Sequence, residues 1–209
     1  MTFDPIAKAR SLSSVEENEA LYRDWAATYD RDVFDMLGFT GSDRIADLLA
    51  SYLPTRSTEV IDLGCGTGAV GVRLAALGFE RIDGFDLSAE MLAVARAKGV
   101  YRSLVTMDLT KPIKPTHQYC AAISAGTFTS GHIGPFAIAE IVKLLAPGAV
   151  VAWVIASSVW ASFGPALAAA GVEILHQSVE TIRTGGVPEA VMLVGRLWRP
   201  DAAGHLGQP

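Results

Sequence analysis

Three carboxylates and a run of glycines carry most of the chemical potential of this sequence. Gly64, Gly66 and Gly68 follow directly on the apolar stretch around Asp62. Glycines between a strand and a helix permit a tight turn at positive φ and let a ligand press against the backbone. The helix behind them offers unpaired N–H groups. Gly66, Gly68 and Gly71 also satisfy the G-x-G-x-x-G spacing of dinucleotide-binding loops. Asp86 closes the next apolar segment, where an acid can accept hydrogen bonds from both hydroxyls of a ribose. Asp108 closes the third, where a carboxylate can accept from an exocyclic amine such as that of adenine. Asp62 can hold the loop through backbone N–H groups, or receive a ligand's ammonium directly or through water. Each has a plainer reading: a glycine-rich turn without a ligand, a helix-dipole acid at Asp86, an exposed loop acid at Asp108.

A second candidate group lies in Gly126–His132. His132, set among glycines after a strand, is a candidate general base for a weakly acidic group such as a hydroxyl, with Thr127 beside it. The bland alternatives are a turn-shaping histidine and, for Thr127 and Ser130, helix capping. Trp160 and Phe163 are candidates for the wall of a ligand pocket or for core, and Arg183 for an anion contact or an exposed hairpin residue. His117, His176 and His205 stand in no constellation. The acids are spread over separate strand ends without His or Cys partners, so no metal site is expected.

These residues need elements to position them. Ser13 and Ser14, followed by Glu16 and Glu17, form two overlapping capping boxes for a helix from Ser14 to Thr28 with Leu21, Trp25 and Tyr29 at helical spacing. A second helix is expected over Asp43–Leu53, stopped by Pro54. Strands are expected at 59–63, 81–86, 100–107, 119–125 and 149–156, with intervening helices at 69–77, 89–98 (capped by Ser88) and 135–146. Gly78 and Gly99 end the first two of these helices, and Pro135 opens the third. A tight Pro147-Gly148 turn, a short helix at 165–170 and two hairpin strands at 172–181 and 190–198 complete the chain. Five strands, four of them followed by a helix, and a final hairpin predict an α/β, Rossmann-like, seven-stranded and mostly parallel sheet. One strand is antiparallel, and helices cover both faces. Every candidate residue then falls at the carboxyl ends of strands, where such sheets bind ligands. The expected organisation is an N-terminal helical cap (1–55), a catalytic domain (56–200) and a flexible tail (201–209).

With 209 residues, 50% of them hydrophobic and 19% charged, the chain can bury a sizeable core. A net charge of −5 and no Lys/Arg cluster favour a small-molecule partner over nucleic acid. No segment has the length of a signal peptide core or a membrane span. Cys65 and Cys120 read as buried or semi-buried thiols in a reducing cytoplasm, not as a disulfide.

The wording around the loop is more specific than its spacing. Val60-Ile-Asp-Leu-Gly-Cys-Gly-Thr-Gly68 resembles the first motif of class I S-adenosylmethionine-dependent methyltransferases, Phe85-Asp-Leu-Ser-Ala-Glu-Met-Leu92 the second and Asp108-Leu109 the third. Leu145-Ala-Pro-Gly148 resembles the turn before their fifth strand. The resemblance spans roughly Leu21 to Trp198. Tyr22-Arg-Asp-Trp-Ala-Ala-Thr-Tyr-Asp30 and Ser124–Pro135 are similar to methyltransferases related to the Williams–Beuren critical-region protein.

This resemblance implies S-adenosylmethionine as cofactor and S-adenosylhomocysteine as product. It implies that the backbone of Gly64, Cys65, Gly66 and Gly68 holds the methionine part, and that Asp86 binds the ribose. Leu87 and Met91 would flank the adenine, with Asp108 and Leu109 at its edge and face. Ser124 and Ala125 would lie beside the sulfonium, with Trp25 and Tyr29 closing over the cofactor. The implied reaction is in-line methyl transfer to a small molecule. The acid-or-Asn, double-proline, aromatic signature of amino-methylating nucleic-acid enzymes is missing after strand four. Two alternatives share much of the pattern. An NAD(P)-dependent oxidoreductase would use Gly66–Gly71 and Asp86, but leaves Asp62, Asp108 and the terminal hairpin unexplained. A catalytically silent S-adenosylmethionine-binding protein would use every cofactor residue.

Overall fold

The computed structural model describes Lys8, Ala9, Leu12 and residues 14–198. Ser14 caps helix α1 (Val15–Trp25). Its hydroxyl accepts from the Glu17 N–H at 3.1 Å, and the Glu17 carboxylate accepts from the Ser14 N–H at 3.2 Å. The companion box on Ser13 lies outside the described residues, as do His205 and the tail 201–209. Helix α1 ends at Trp25, short of Thr28, and the chain passes into a π-helical turn (Arg31–Met36). The Asp32 carboxylate gathers the Trp25 indole N–H at 2.9 Å and the Thr28 hydroxyl at 2.8 Å, local bonds that compete with the α-helical ladder.

Helix α2 (Gly41–Tyr52) precedes β1 (Val60–Leu63), α3 (Ala69–Ala76), β2 (Ile82–Asp86), α4 (Ala89–Ala97), β3 (Ser103–Thr106) and β4 (Tyr119–Phe128). Then come α5 (Ile138–Ile141), β5 (Leu145–Ala156), α6 (Trp160–Ala169), β6 (Val172–Glu180) and β7 (Ala190–Leu197). The sheet runs β3-β2-β1-β4-β5-β7-β6. Strand β7 is antiparallel to β5 and β6, and the other pairs are parallel. This is the mostly parallel, doubly covered sheet expected from the order of elements.

Alternation along the central strands builds two cores. Val150, Ala152 and Val154 of β5 join Ile45 and Leu49 of α2 and Val70 and Leu74 of α3 on one face. Val151, Trp153 and Ile155 point the other way, toward α5 and α6 through Ile138, Ile141, Phe163 and Leu167. Strand order reverses between β1 and β4, which opens a crevice at their carboxyl ends.

Several boundaries differ from the sequence reading. The helix expected over 135–146 is a broken run: 3₁₀ turns at Pro135–Ala137 and Val142–Leu144 flank the single turn of α5. The Pro147-Gly148 turn lies inside β5 as a bulge, because pairing jumps from Tyr119–Leu145 to Ala121–Val150. Helix α6 starts at Trp160 and carries Pro165 within it. Burial of Phe163 and Leu167, one turn apart on the core-facing side, outweighs the proline's preference for a first turn. Strand β3 is shorter than expected and β4 longer by Gly126–Phe128. Cys65 is buried, but Cys120 is exposed on β4. No described helix is long and apolar enough to cross a membrane.

Candidate active site

The glycine loop bends around a single carbonyl: the Gly64 and Cys65 N–H groups both donate to Phe85 O, at 2.8 and 3.0 Å. Gly64 has φ +67°, and a Cβ there would lie 2.2 Å from the Thr127 Oγ1. Only glycine lets β4 close against the loop. Gly66 has φ +53° with nothing within 4 Å of a Cβ, so its backbone forms an open cradle facing the crevice. Its N–H donates to Asp86 Oδ2 at 2.7 Å, while Ser88 N–H donates to Oδ1 at 2.9 Å. Burial pushes the Asp86 carboxyl up, and these N–H bonds pull it down. The cleft beside them is bordered by Leu87 and Met91 on one side and by Met107, Asp108 and Leu109 on the other. Asp108 Oδ1 accepts from the Thr110 N–H at 2.8 Å and from its hydroxyl at 2.5 Å, which fixes the carboxylate at the rim.

Asp62 does not hold the loop through backbone N–H groups, the first of the two roles expected of it. Its Oδ2 accepts the Tyr101 hydroxyl at 2.7 Å, while the buried Oδ1 has no partner among the described residues. Burial raises this carboxyl from 3.8 to about 7, against the lowering effect of the Tyr101 bond. The Tyr101 oxygen in turn accepts from the Gly71 N–H at 3.1 Å in the first turn of α3. A Cβ on Gly71 would strike the Tyr101 ring at 2.2 Å. The third glycine of the G-x-G-x-x-G match therefore makes room for a side chain of this protein. Tyr101, 39 positions from Asp62, gave no local signal in the sequence. Cys65 is packed against Gly84, and burial pushes its thiol up.

The carboxyl end of β4 is pinned by two hydroxyls. Ser124 Oγ donates to Leu63 O at 2.7 Å, and Thr127 Oγ1 to the same carbonyl at 3.1 Å. Both hydroxyls are committed to the scaffold, whereas Ala125 and Gly126 border the crevice. Beyond them His132 Nδ1 lies 3.2 Å from Ser130 O and Nε2 lies 2.6 Å from the Tyr22 hydroxyl. A carbonyl only accepts, so Nδ1 carries a proton, and in the neutral ring Nε2 receives the Tyr22 O–H. Helix α1 is fastened to this loop by Asn18 Nδ2, which donates to Gly131 O at 2.6 Å. Tyr22 stacks on Trp25 with ring centres 6.0 Å apart, and Trp25 meets Tyr29 edge-on at 4.7 Å. Burial, with Asp86 and Asp30 nearby, pushes the Tyr29 phenol up. Asp30 joins cap to cradle, accepting from Thr67 Oγ1 at 2.5 Å and Lys98 Nζ at 2.6 Å. Asn18, Tyr22 and Asp30 were missed as site residues because their partners are remote in sequence.

A second cavity adjoins the cleft. Trp25, Val33, Phe34, Phe39, Val70 and Phe128 make it largely apolar, and Arg183 and Glu189 close one side. Arg183 is not the exposed hairpin residue expected: its backbone bridges to Phe39, and its guanidinium donates to both Glu189 oxygens, at 2.6 and 2.9 Å. Trp160 and Phe163 do not border this cavity; Phe163 is core, against Phe128. His117 pairs with Glu59 at 2.7 Å, and His176 with Ser178 at 3.2 Å, both away from the crevice.

Sheet order, the cradle at the switch point and the acids at successive strand ends define a class of fold, that of the class I S-adenosylmethionine-dependent methyltransferases, and the family and sequence matches support that class for this chain. The model of a methyltransferase domain matches residues 60–148. Methyltransferase-like protein 27 of Homo sapiens is 31% identical over 150 residues, 70% of this chain and 60% of that protein, which fits the Williams–Beuren resemblance. The chain thus spans less than two thirds of that relative's length. Among solved structures, the [4+2]-cyclase SpnF superposes with a TM-score of 0.71 at 17% identity, over 90% of this chain and 98% of that one. A TehB-like SAM-dependent methyltransferase from Corynebacterium glutamicum gives 0.65 at 19% identity, over 84% and 97%. At such identities the likeness is one of fold, and a cyclase on this fold means that fold alone does not fix the reaction.

Proposed function

We propose that this chain transfers the methyl group of S-adenosylmethionine to a small-molecule acceptor by in-line displacement. The observation that carries this reading is the junction of the two cavities. Tyr22, Tyr29, Gly64, Gly66, Ala125, Gly126 and His132 border both of them. The cleft offers groups suited to a nucleoside: Asp86 for the ribose hydroxyls, Leu87 and Met91 against the adenine, Asp108 and Leu109 at its edge and face. The backbone of Gly64, Cys65, Gly66 and Gly68 receives the methionine part. The unpartnered Oδ1 of Asp62 suits an ammonium reached through water. Ala125 and the backbone of Ser124 lie beside the sulfonium, and Trp25 and Tyr29 cover it. The neighbouring aromatic cavity takes the acceptor.

The cofactor supplies an already activated methyl on a positive sulfur. The chain has to align an acceptor atom behind that methyl and exclude water. His132 is the group placed to take a proton, and Thr127 holds the strand end that carries it. The apolar acceptor cavity and the net charge of −5 support a small acceptor over a nucleic acid.

Thermal shift with S-adenosylmethionine, S-adenosylhomocysteine, NAD and NADP tests this, on the protein and on Asp86→Asn, which keeps an acceptor for the loop. Ligand at a hundred times its dissociation constant adds about 2.7 kcal/mol, roughly 5–10 °C for a domain of this size. The expected shift comes with the adenosyl pair alone and is lost in Asp86→Asn. A shift with NAD or NADP alone would replace methyl transfer by hydride chemistry. Tight binding without turnover on any metabolite pool would leave a silent binding protein.

A further inference from the structure

His132 does not face the cavities alone. It is hydrogen-bonded to a phenol that borders the same two cavities, and its other nitrogen is held by a carbonyl. The Tyr22 ring is fixed against Trp25 and His132, with centres 6.0 and 5.5 Å away. The histidine loop is fixed by Asn18. Resting on the methyl-transfer reading above, we propose that Tyr22 and His132 form a proton relay serving a neutral, largely apolar acceptor whose reacting atom is a hydroxyl oxygen.

The cavity argues for a neutral acceptor. Besides His132, the charged side chains bordering it among the described residues are Arg183 and Glu189, which satisfy each other in a bidentate pair. An ammonium or carboxylate on the acceptor would leave water for a wall of Val33, Phe34, Phe39 and Phe128 without a counter-charge to meet it. The relay argues for oxygen. A thiol ionises near neutral pH unaided, with an ordinary pKa of about 8.5. A phenol or alcohol keeps its proton and needs a base as it attacks.

The step balances within the site. As the acceptor oxygen bonds to the methyl carbon, its O–H bond breaks. That proton passes to the Tyr22 oxygen, and the Tyr22 proton passes to His132 Nε2. The electron pair of the broken C–S bond stays on sulfur. The positive charge lost there reappears on the imidazolium, stabilised by the Ser130 carbonyl at Nδ1–H. The imidazolium returns its proton to water after the products leave.

The test uses methyl-tritiated S-adenosylmethionine with para-ethylphenol, para-ethylthiophenol and para-ethylaniline, and with octanol, octanethiol and octylamine. Label should enter the hydroxyl members. Tyr22→Phe should lower that rate about 10²–10⁴-fold while S-adenosylhomocysteine affinity stays within about threefold. His132→Ala should lose activity and regain part of it with added imidazole, which a purely structural histidine would not allow. In the cofactor-free protein, nitrogen NMR of His132 should show a neutral Nδ1–H ring whose Nε2 signal moves in Tyr22→Phe. Label in thiols or amines alone, no label in any member despite S-adenosylhomocysteine binding, an unchanged Tyr22→Phe rate, or an unmoved Nε2 signal would each overturn the relay. Failure to bind S-adenosylhomocysteine at all would remove the methyl-transfer reading and the relay with it.

Discussion

The cradle at the carboxyl ends of β1 and β2 and the cap made by α1 and the π-helical turn face the same crevice but are held in different ways. The cradle is fixed by bonds among neighbouring strand ends: Gly64 and Cys65 N–H to Phe85 O, Gly66 N–H to Asp86, Ser88 N–H to Asp86. Behind it lie side chains with no exposure, such as Ile61 and Leu63. The cap is fixed by a few polar contacts to distant parts of the chain: Asn18 to Gly131, Tyr22 to His132, Asp30 to Thr67 and Lys98. A region held by core packing opens only when the domain unfolds, whereas one held by isolated polar contacts opens locally. Substitutions in the cradle should therefore be read in global stability or in affinity, and substitutions in the cap in local opening.

The largest effect is expected at Gly64. Alanine there pays the left-handed backbone cost of about 1–2 kcal/mol and drives its methyl into Thr127, which adds about 1–3 kcal/mol of overpacking. Urea unfolding should show a loss of about 2–5 kcal/mol. A loss below 1 kcal/mol would mean that β4 is not closed on the loop.

Next comes the pH dependence set by Asp62. Its carboxyl is raised by burial to about 7 in the folded chain, against about 3.9 when unfolded. Between these values the folded state holds a proton that the unfolded state has released. This group's contribution to stability is therefore full below about pH 4, falls as pH rises, and is gone above about 7. The loss amounts to about 2–4 kcal/mol. Asp62→Asn keeps an oxygen for the Tyr101 hydroxyl and should remove that slope. Parallel stability profiles for the two proteins from pH 4.5 to 7.5 would show that Asp62 is ionised throughout.

Gly66 sharpens the contrast with Gly64 inside one motif. Its φ is also left-handed, but a methyl group there meets nothing of the protein. Gly66→Ala should cost only about 1–2 kcal/mol yet weaken S-adenosylhomocysteine binding at least tenfold, about 1.4 kcal/mol, as read by calorimetry. Unchanged affinity would mean that the ligand does not press on the loop.

This division also explains what was legible in the sequence. Strand β1, the cradle, Asp86 and Ser88 follow from short-range rules: apolar runs, glycines at turns, a cap three residues before Met91. A mostly parallel sheet with a final hairpin followed from the alternation of strands and helices. The fate of Asp62 was not legible, because Tyr101 reaches it from 39 positions away. Nor was the role of Gly71, whose spacing fitted a dinucleotide loop and whose real neighbour is the Tyr101 ring. Helix α6 was misplaced because a proline carries a strong local signal and a buried Phe163–Leu167 pair a weaker one. His132 stood out by its glycine neighbours, but its partner Tyr22 lies 110 positions away on another element.

The smallest effect, and the most direct probe of the cap, is expected at Asp30. Its two oxygens take the Thr67 hydroxyl and the Lys98 ammonium. The carboxylate is 41% exposed, so the ion pair works against solvent screening and contributes about 0.2–1 kcal/mol. Asp30→Asn keeps the shape, loses the charge, and should weaken the latch by about 1 kcal/mol without touching either core. Hydrogen exchange should therefore speed up about fivefold in residues 15–36, while β1, β4 and β5 keep their protection and Tm falls by less than about 4 °C. S-adenosylhomocysteine should restore protection over 15–36 if Trp25 and Tyr29 cover it. An equal loss of protection in cap and sheet would make the two regions one cooperative unit and dissolve the contrast between them.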